Sequence, residues 1–188
     1  MNVVSIQPTP NPNAFKFVLD AVVVRGTKNY ASKDEAKGDG LATEIFGIDG
    51  VERVFLCDAF ITVSMTPEAD WRAVHEAATR VIEAADAPDL ESADAAPAAG
   101  GSGPNLDGLS HEVVATLEKI NELLDDRVRP ALAGDGGGLE VIGLEGKTLH
   151  IRYEGACGTC PSAATGTLMA IESLLQSEVD ADMSVVPA

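Results

Sequence analysis

The sequence predicts an α+β protein made of two small domains, each with its own sheet and helices. Along its 188 residues, strand-like alternation and helix-like spacing of apolar residues occur in two separate series. Between the series, residues 87–108 are rich in Ala, Pro, Gly and Ser and contain no aromatic residue. We therefore expect a first domain at residues 1–86, a flexible linker at 87–108 and a second domain at 109–188.

The first domain is predicted to begin with extended chain and strands. Three prolines within residues 8–13 exclude a helix there, because proline lacks the backbone N–H that a helix needs. Residues 14–19 and 22–24 have the apolar content of strands. Residues 41–46 follow with the composition of a short helix.

A hairpin and a closing helix complete the first domain. Residues 51–56 and 60–65 alternate about a turn at Asp58 and Ala59. Apolar side chains then recur at helical spacing, which predicts a stripe that faces the core. The stripe consists of Trp71, Val74, Ala78, Val81 and Ile82.

The second domain is predicted to start with a long helix. Ser110 is a suitable N-cap for it, and Pro130 is expected to stop it. Its apolar residues recur at steps of three and four, the spacing of one helical face. They are Val113, Leu117, Ile120, Leu124 and Val128.

Two strands, a second helix and a short final strand are expected next. Residues 135–138, an Asp followed by three glycines, supply a turn. Residues 139–144 and 148–153 then form a hairpin. The last helix buries Leu168, Ile171 and Leu175, and residues 183–186 form the final strand. The order of the second domain is thus α-β-β-α with one added strand.

Two of the three cysteines, Cys157 and Cys160, lie on the loop between the predicted hairpin and the last helix. The two residues between them let the chain turn and aim both sulfurs the same way, which suits a soft metal. Pro161 and Ser162 fit the first turn of the helix, so Cys160 stands near its positive end. That position favours thiolate, the form that binds metal. We therefore predict that Cys157 and Cys160 are metal ligands.

One chain offers only two neighbouring sulfurs, whereas a zinc ion or an iron–sulfur cluster generally takes four protein ligands. A symmetric dimer would supply four thiolates to one shallow, exchangeable centre on its two-fold axis. The motif by itself leaves two alternatives open. One is a thiol–disulfide oxidoreductase, and the other is a structural zinc-binding module.

The remaining cysteine and the histidines do not complete this site. Cys57 ends an apolar strand, where a free cysteine packs as a small hydrophobic residue. His75 falls in the first domain, His111 at the start of a helix and His150 within a strand. None is spaced to join the two cysteines, so we expect structural or surface roles for all three.

Charge and composition narrow the classes of partner. Thirty acidic side chains against 13 basic ones give a formal charge of -17, spread along the whole chain. Nucleic acid and anionic membranes are therefore not expected as partners. The start has no signal-like region, and three cysteines with one set apart suit a reducing compartment. These features predict a cytoplasmic protein.

The motifs of both domains resemble one known family. In the second domain they are Val-Arg-Pro-Ala-Leu at 128–132, Asp-Gly-Gly at 135–137 and Gly-Ala-Cys-Gly-Thr-Cys-Pro-Ser at 155–162. In the first domain they include Thr-Pro-Asn-Pro-Asn-Ala-Phe-Lys-Phe at 9–17 and Asp-Trp at 70–71. In this order, the chain resembles the Nfu-type iron–sulfur cluster carriers, which have an Nfu N-terminal domain followed by a NifU-like C-terminal domain.

The resemblance implies that Cys157 and Cys160 bind an iron–sulfur cluster shared between two chains. It implies a 4Fe-4S cluster, with 2Fe-2S as the alternative. A carrier of this kind is a homodimer when it holds the cluster, and it is not an enzyme. Its other partners are upstream cluster assembly machinery and the apo-proteins that receive the cluster.

Overall fold

The computed structural model describes residues 1–86, 111–159 and 161–187, without the side chains of residues 159 and 161–165. These residues belong to two compact units, which are described separately. Each unit contains helices and a sheet, so the predicted α+β fold class is confirmed. The predicted linker at 87–108, the Ser110 cap and Cys160 lie outside the described residues, and the exact domain boundaries stay a prediction.

The first unit is a five-stranded antiparallel sheet in the order β1-β2-β5-β4-β3, with two helices packed on one face. The hairpin, the second strand and both helices agree with the sequence prediction. The elements are β1 (Val3–Pro8), β2 (Ala14–Leu19), β3 (Thr27–Tyr30), α1 (Gly40–Ile45), β4 (Val51–Cys57), β5 (Phe60–Met65) and α2 (Trp71–Ala84).

Aspartates fix where both helices of this unit begin. The side chain of Asp39 accepts a hydrogen bond from Ala42 N, and that of Asp70 accepts one from Arg72 N. Such caps satisfy backbone donors that have no partner inside the helix, and each stabilises its helix by about 1 kcal/mol. The helices then bury their apolar faces against the sheet through Ala42, Ile45, Val74, Ala78 and Ile82.

The predicted strand at residues 22–24 is wrong. Val23 and Val24 are buried, but residues 22–24 belong to no strand, and Val23 N donates to Asp58 O at 2.7 Å. The sheet edges are formed instead by β1, beside β2, and by β3, beside β4. A short apolar run is buried in either case, so hydrophobicity alone did not distinguish a packed loop from a strand.

The prediction that Trp71 is a core residue is also wrong, because 47% of this residue is exposed. Trp71 is the first residue of α2, and the buried face of that helix starts one turn later at Val74. The indole ring stacks on Phe15 with centroids 6.4 Å apart, and the Arg72 guanidinium lies 5.1 Å from the ring centroid. Helical spacing of apolar residues therefore does not by itself bury the first residue of a helix.

The second unit has a three-stranded sheet in the order β6-β7-β8, in which β7 is antiparallel to β6 and parallel to β8. The predicted α-β-β-α order and the final strand are confirmed, and a short extra helix follows the first one. The elements are α3 (His111–Arg127), α4 (Arg129–Gly134), β6 (Gly137–Glu145), β7 (Thr148–Gly155), α5 (Pro161–Glu178) and β8 (Ser184–Pro187).

The core of the second unit lies between its helices and one face of its sheet. Leu117, Ile120 and Leu124 of α3 are fully buried there, as their spacing predicts. α3 ends at Arg127, before Pro130, as the sequence predicts. Pro130 also lies in the first turn of α4. Proline is well suited to a first helical turn because its missing N–H has no partner there in any case.

Within the described parts of both units, every helix is too short or too polar to span a lipid bilayer.

Candidate functional site

Cys157 lies in the connection from β7 to α5, as the sequence predicts. β7 ends at Gly155, whose φ of 59° is in the left-handed region that favours glycine. The chain then forms a short 3-10 turn, Ala156–Thr159, and α5 begins at Pro161. The motif therefore joins the end of a strand to the start of a helix, and Cys160, its second cysteine, falls at the one undescribed position between them.

The thiol of Cys157 is buried, with 7% of the residue exposed. The shallow centre expected between two chains stays a prediction, and within one chain the sulfur itself is buried. A Cβ atom placed on Gly137 would lie 2.4 Å from Cys157 Sγ and 2.9 Å from its Cβ. Those distances are far below van der Waals contact, so the sulfur occupies the space that any side chain at position 137 would need.

Two facing glycines create this space at the end of the sheet. Gly137 is paired with Gly155 across the β6–β7 ladder, and Leu139 is paired with Tyr153 one step further along the same face. Leu139 is part of the helix-facing core, and Tyr153 packs against that core. A backbone hydrogen bond of 3.1 Å from Ala156 N to Gly136 O closes the end of the ladder.

The sequence predicted residues 135–138 only as a turn, and it did not assign a role to Gly137. Gly136 serves the turn, since its φ is 77°. Gly137 already belongs to β6, so the turn does not require it to be glycine. The sequence did contain a sign that Gly137 leaves space for another group. Residues 136–138 are three glycines in a row, although the turn requires glycine only at Gly136.

Tyr153 is the second residue near the thiol that the sequence reading missed. Its Oη is buried, and within the described structure it has no hydrogen-bond partner. Burial, and next the charge of Cys157, raises the pKa of Tyr153 to about 12. At neutral pH this residue is therefore a neutral hydroxyl that can donate a hydrogen bond.

Arg129 of the Arg-Pro motif links α3, α4 and β6 near this site through hydrogen bonds. Its Nε donates to the Leu139 carbonyl of β6 at 3.3 Å, and its terminal nitrogens donate to Asn121 Oδ1 at 2.9 Å and Asp125 Oδ1 at 2.5 Å. These bonds connect the start of α4 to both α3 and β6. The planar guanidinium suits such a branched set of acceptors.

The other candidate ligands take structural positions. Cys57 is buried at the end of β4, in agreement with a packing role. His75 packs edge-on against Phe15 and Trp71, with ring centroids 4.1 and 5.4 Å apart, and burial lowers its pKa. His150 Nε2 lies 3.7 Å from Glu145 Oε2. Among residues 1–86, 111–159 and 161–187, no three His, Cys, Asp or Glu side chains are grouped so that they could hold a metal ion.

Two family models match the chain in succession. The model described as scaffold protein Nfu/NifU N terminal matches residues 4–87, and the model described as NifU-like domain matches residues 120–186. The first matched range corresponds to the five-stranded unit. The second contains both cysteines of the motif and most of the unit in which Cys157 lies.

Curated relatives match over almost the whole chain. An NFU1 iron-sulfur cluster scaffold homolog, mitochondrial, from Drosophila ananassae is 33% identical over 177 residues, which is 92% of this chain and 59% of the relative. NifU-like protein 4, mitochondrial, from Arabidopsis thaliana is 31% identical and covers 94% of this chain and 62% of its own. The chain thus spans about three fifths of the length of these relatives. The solved protein SAV1430 from Staphylococcus aureus is 26% identical over 44% of this chain and 99% of its own, with a TM-score of 0.39.

The predicted cytoplasmic location is wrong by this comparison, because both curated relatives are named as mitochondrial proteins. The prediction depended on a start without a signal-like region and on the cysteine count. Those features separate reducing from oxidising compartments, but they do not tell one reducing compartment from another. Receptors read a targeting segment rather than the fold it is attached to.

The order of the two matched models agrees with the order of the two units and with the motifs around residues 9–17 and 155–162. Together the matched ranges cover most of the chain. The chain therefore belongs to the Nfu-type scaffold family, with an Nfu N-terminal domain followed by a NifU-like domain.

Proposed function

We propose that this chain is an iron–sulfur cluster carrier that binds a cluster between two copies of itself and delivers it to apo-proteins. Cys157 and Cys160 of each copy are the ligands, and the cluster is cargo rather than a permanent cofactor. We assign a 4Fe-4S cluster, with 2Fe-2S as the alternative. The name iron-sulfur cluster scaffold, carried by the Drosophila relatives, supports this cargo.

The observation that carries the proposal is the position of Cys157 in the turn between β7 and α5, apart from any other group of metal-ligating side chains in the described residues. Because the turn lies outside the β6–β7 ladder, it can shift to present its sulfur to a second molecule while the strands stay paired. If each chain supplies two thiolates, a cluster that needs four completes its coordination only with a second chain.

Transfer then proceeds by ligand exchange. Thiolates of the recipient replace Cys157 and Cys160 one at a time, so the cluster is never released free and every ligand position stays filled. Because Cys157 is 7% exposed, access to its sulfur requires the 3-10 turn Ala156–Thr159 to shift. A 3-10 segment has poorer hydrogen-bond geometry than an α-helix, so this movement costs less than opening β7 or α5.

The test is anaerobic reconstitution of the full chain with iron and sulfide, followed by iron and sulfide analysis and a visible absorption spectrum. Wild type is expected to retain the cluster, and Cys157→Ala and Cys160→Ala are each expected to lose it. Cys57→Ala is the matched control, because it removes a buried thiol of similar exposure from the first unit. Full retention by either motif variant would refute the ligand assignment.

The same preparation separates the two alternatives left open by the motif. Insulin reduction by metal-free protein would assign a thiol–disulfide oxidoreductase. Tightly held zinc at about one ion per dimer, with unfolding on chelation, would assign a structural zinc module. Either result, in protein that takes up no iron, would replace the proposed function.

A further inference from the structure

We propose that Tyr153 is a positioning residue for the cluster, and that its hydroxyl donates a hydrogen bond to the ligating sulfur of Cys157. The inference rests on the proposed function, because it takes Cys157 as a ligand. It adds a residue outside the Cys-x-x-Cys motif, from the strand that leads into it.

The placement of Tyr153 follows from the ladder. Gly137 and Gly155 face each other at the end of the sheet, and Cys157 Sγ fills the space above Gly137. Tyr153 is two residues before Gly155, so its side chain is on the same face and adjacent to that space. Both Tyr153 and Cys157 pack in the same core cluster. No bulky side chain of the ladder stands between the ring and the thiol, because the intervening positions are glycines.

The hydroxyl is suited to this role because it is buried without an acceptor. Tyr153 Oη has no hydrogen-bond partner within the part of the chain that the structure describes. A buried donor without a partner destabilises a fold, so such groups call for a physical explanation. A metal-bound thiolate would supply a charged acceptor, and hydrogen bonds to charged acceptors are about twice as strong as neutral ones.

Such a bond would act on the cluster in two ways. Hydrogen bonds from outside the ligand set orient the ligands of a metal centre and strengthen its binding. Hydrogen bonds to ligating sulfur also help to set the reduction potential of an iron–sulfur cluster, because they stabilise the more negative, reduced state. Loss of the hydroxyl is therefore expected to shorten cluster retention and to lower the potential.

Tyr30 of the first unit provides a matched control. Tyr30 is buried, whereas Tyr153 is partly buried with a buried hydroxyl, and the Tyr30 hydroxyl donates to Asp39 Oδ2 at 3.1 Å. Tyr30→Phe removes a hydrogen bond that the metal-free protein already has, whereas Tyr153→Phe removes a hydroxyl with no bond among the described residues. Both substitutions keep the aromatic ring and remove only the hydroxyl, so both should leave the packing of the ring nearly unchanged.

The experiment compares wild type, Tyr153→Phe and Tyr30→Phe as full chains, each before and after anaerobic reconstitution. In the metal-free proteins, Tyr30→Phe is expected to lower the melting temperature and Tyr153→Phe to leave it unchanged or raise it. After reconstitution, the half-life of the cluster against an iron chelator is expected to fall about tenfold in Tyr153→Phe, the ratio that one charged hydrogen bond represents. Its reduction potential is expected to become more negative, and Tyr30→Phe is expected to change neither quantity.

Each other outcome has a defined meaning. A half-life and potential equal to wild type in Tyr153→Phe would overturn the inference and leave the proposed function standing. A melting temperature lowered as much as in Tyr30→Phe would assign the hydroxyl to the fold and overturn the inference as well. Failure of wild type to take up iron and sulfide would overturn the proposed function and this inference together.

Discussion

Each unit has a buried cysteine near the end of its sheet, but the two cysteines differ in backbone setting. Cys57 and Cys157 are almost equally buried, with 8% and 7% exposed. Cys57 lies within β4, paired with Phe60 on one side and Thr27 on the other. Cys157 lies past the end of β7, in a turn above Gly137. Burial alone therefore does not separate a packing thiol from a candidate ligand, and the backbone setting does.

A second contrast concerns the tyrosines. Each unit buries one tyrosine hydroxyl, and burial raises the pKa of both Tyr30 and Tyr153. In the first unit the hydroxyl is satisfied by Asp39. In the second unit the charge of Cys157, after burial, contributes to the raised pKa of Tyr153. The first unit thus pairs its tyrosine hydroxyl with a carboxylate, whereas the second keeps the Tyr153 hydroxyl without a partner among the described residues.

The largest effects are expected from truncating the core of either unit. Ile82 of the first unit and Ile171 of the second are fully buried, so Ile82→Ala and Ile171→Ala should each lower the free energy of unfolding of their unit by about 2–5 kcal/mol. Only Ile171→Ala is expected to shorten cluster retention as well, because α5 carries the motif at its start. Urea unfolding and retention of a reconstituted cluster measure the two quantities.

Met169→Ala is the control for this comparison. Met169 is on the same helix as Ile171 but 65% exposed, so its truncation should change stability by less than about 0.5 kcal/mol. If Ile82→Ala shortened cluster retention as much as Ile171→Ala, the assignment of the site to the second unit alone would be wrong.

A smaller effect is expected from filling the space above Gly137. In Gly137→Ala the new Cβ would lie 2.4 Å from Cys157 Sγ and 2.9 Å from the Glu154 carbonyl oxygen, so the turn must move. Overpacking of this kind costs about 1–3 kcal/mol. The variant should unfold at lower urea concentration and retain its cluster for a shorter time than wild type.

Gly143→Ala is the matched control, since Gly143 is in the same strand and its Cβ would meet nothing within 4 Å. It should leave both stability and cluster retention close to wild type. Equal behaviour of the two alanine variants would show that the thiol does not occupy the space above Gly137.

The smallest effect is a pH dependence that we assign to the first unit. Burial lowers the pKa of His75 from 6.5, so the folded state favours the neutral imidazole. The stability it contributes is complete above pH 6.5, and it falls as the pH drops below that value, because the unfolded chain takes up the proton first. Urea unfolding near pH 7.5 and near pH 5.5 should show a smaller loss in His75→Gln than in wild type. An equal loss in both proteins would assign the pH dependence to other groups.

The sequence predicted most of the regular structure because apolar periodicity dominates it. The β4–β5 hairpin, α2, α3 and the β6–β7 hairpin all appear close to where their patterns lie. Two predictions failed where the pattern is short or ends. Residues 22–24 are a buried loop, and Trp71 stands at the exposed end of a helical stripe.

The candidate site was predicted only in part. The cysteine spacing and the helix start after it could be read from local sequence, because both depend on neighbouring residues. The space above Gly137 depends on a register 18 residues away along the chain, where Gly155 pairs with it. Tyr153 is likewise placed beside Cys157 only by the folded β6–β7 ladder. Contacts of this kind leave no periodic signal, so single-sequence reading does not find them.

The central claim is that two chains share one cluster, and native mass spectrometry of the anaerobically reconstituted wild type tests it most directly. We predict a species whose mass equals two chains plus one 4Fe-4S cluster, and which separates into single chains when the cluster is removed. A cluster held by a single chain, or chains that stay single and free of iron, would contradict the account.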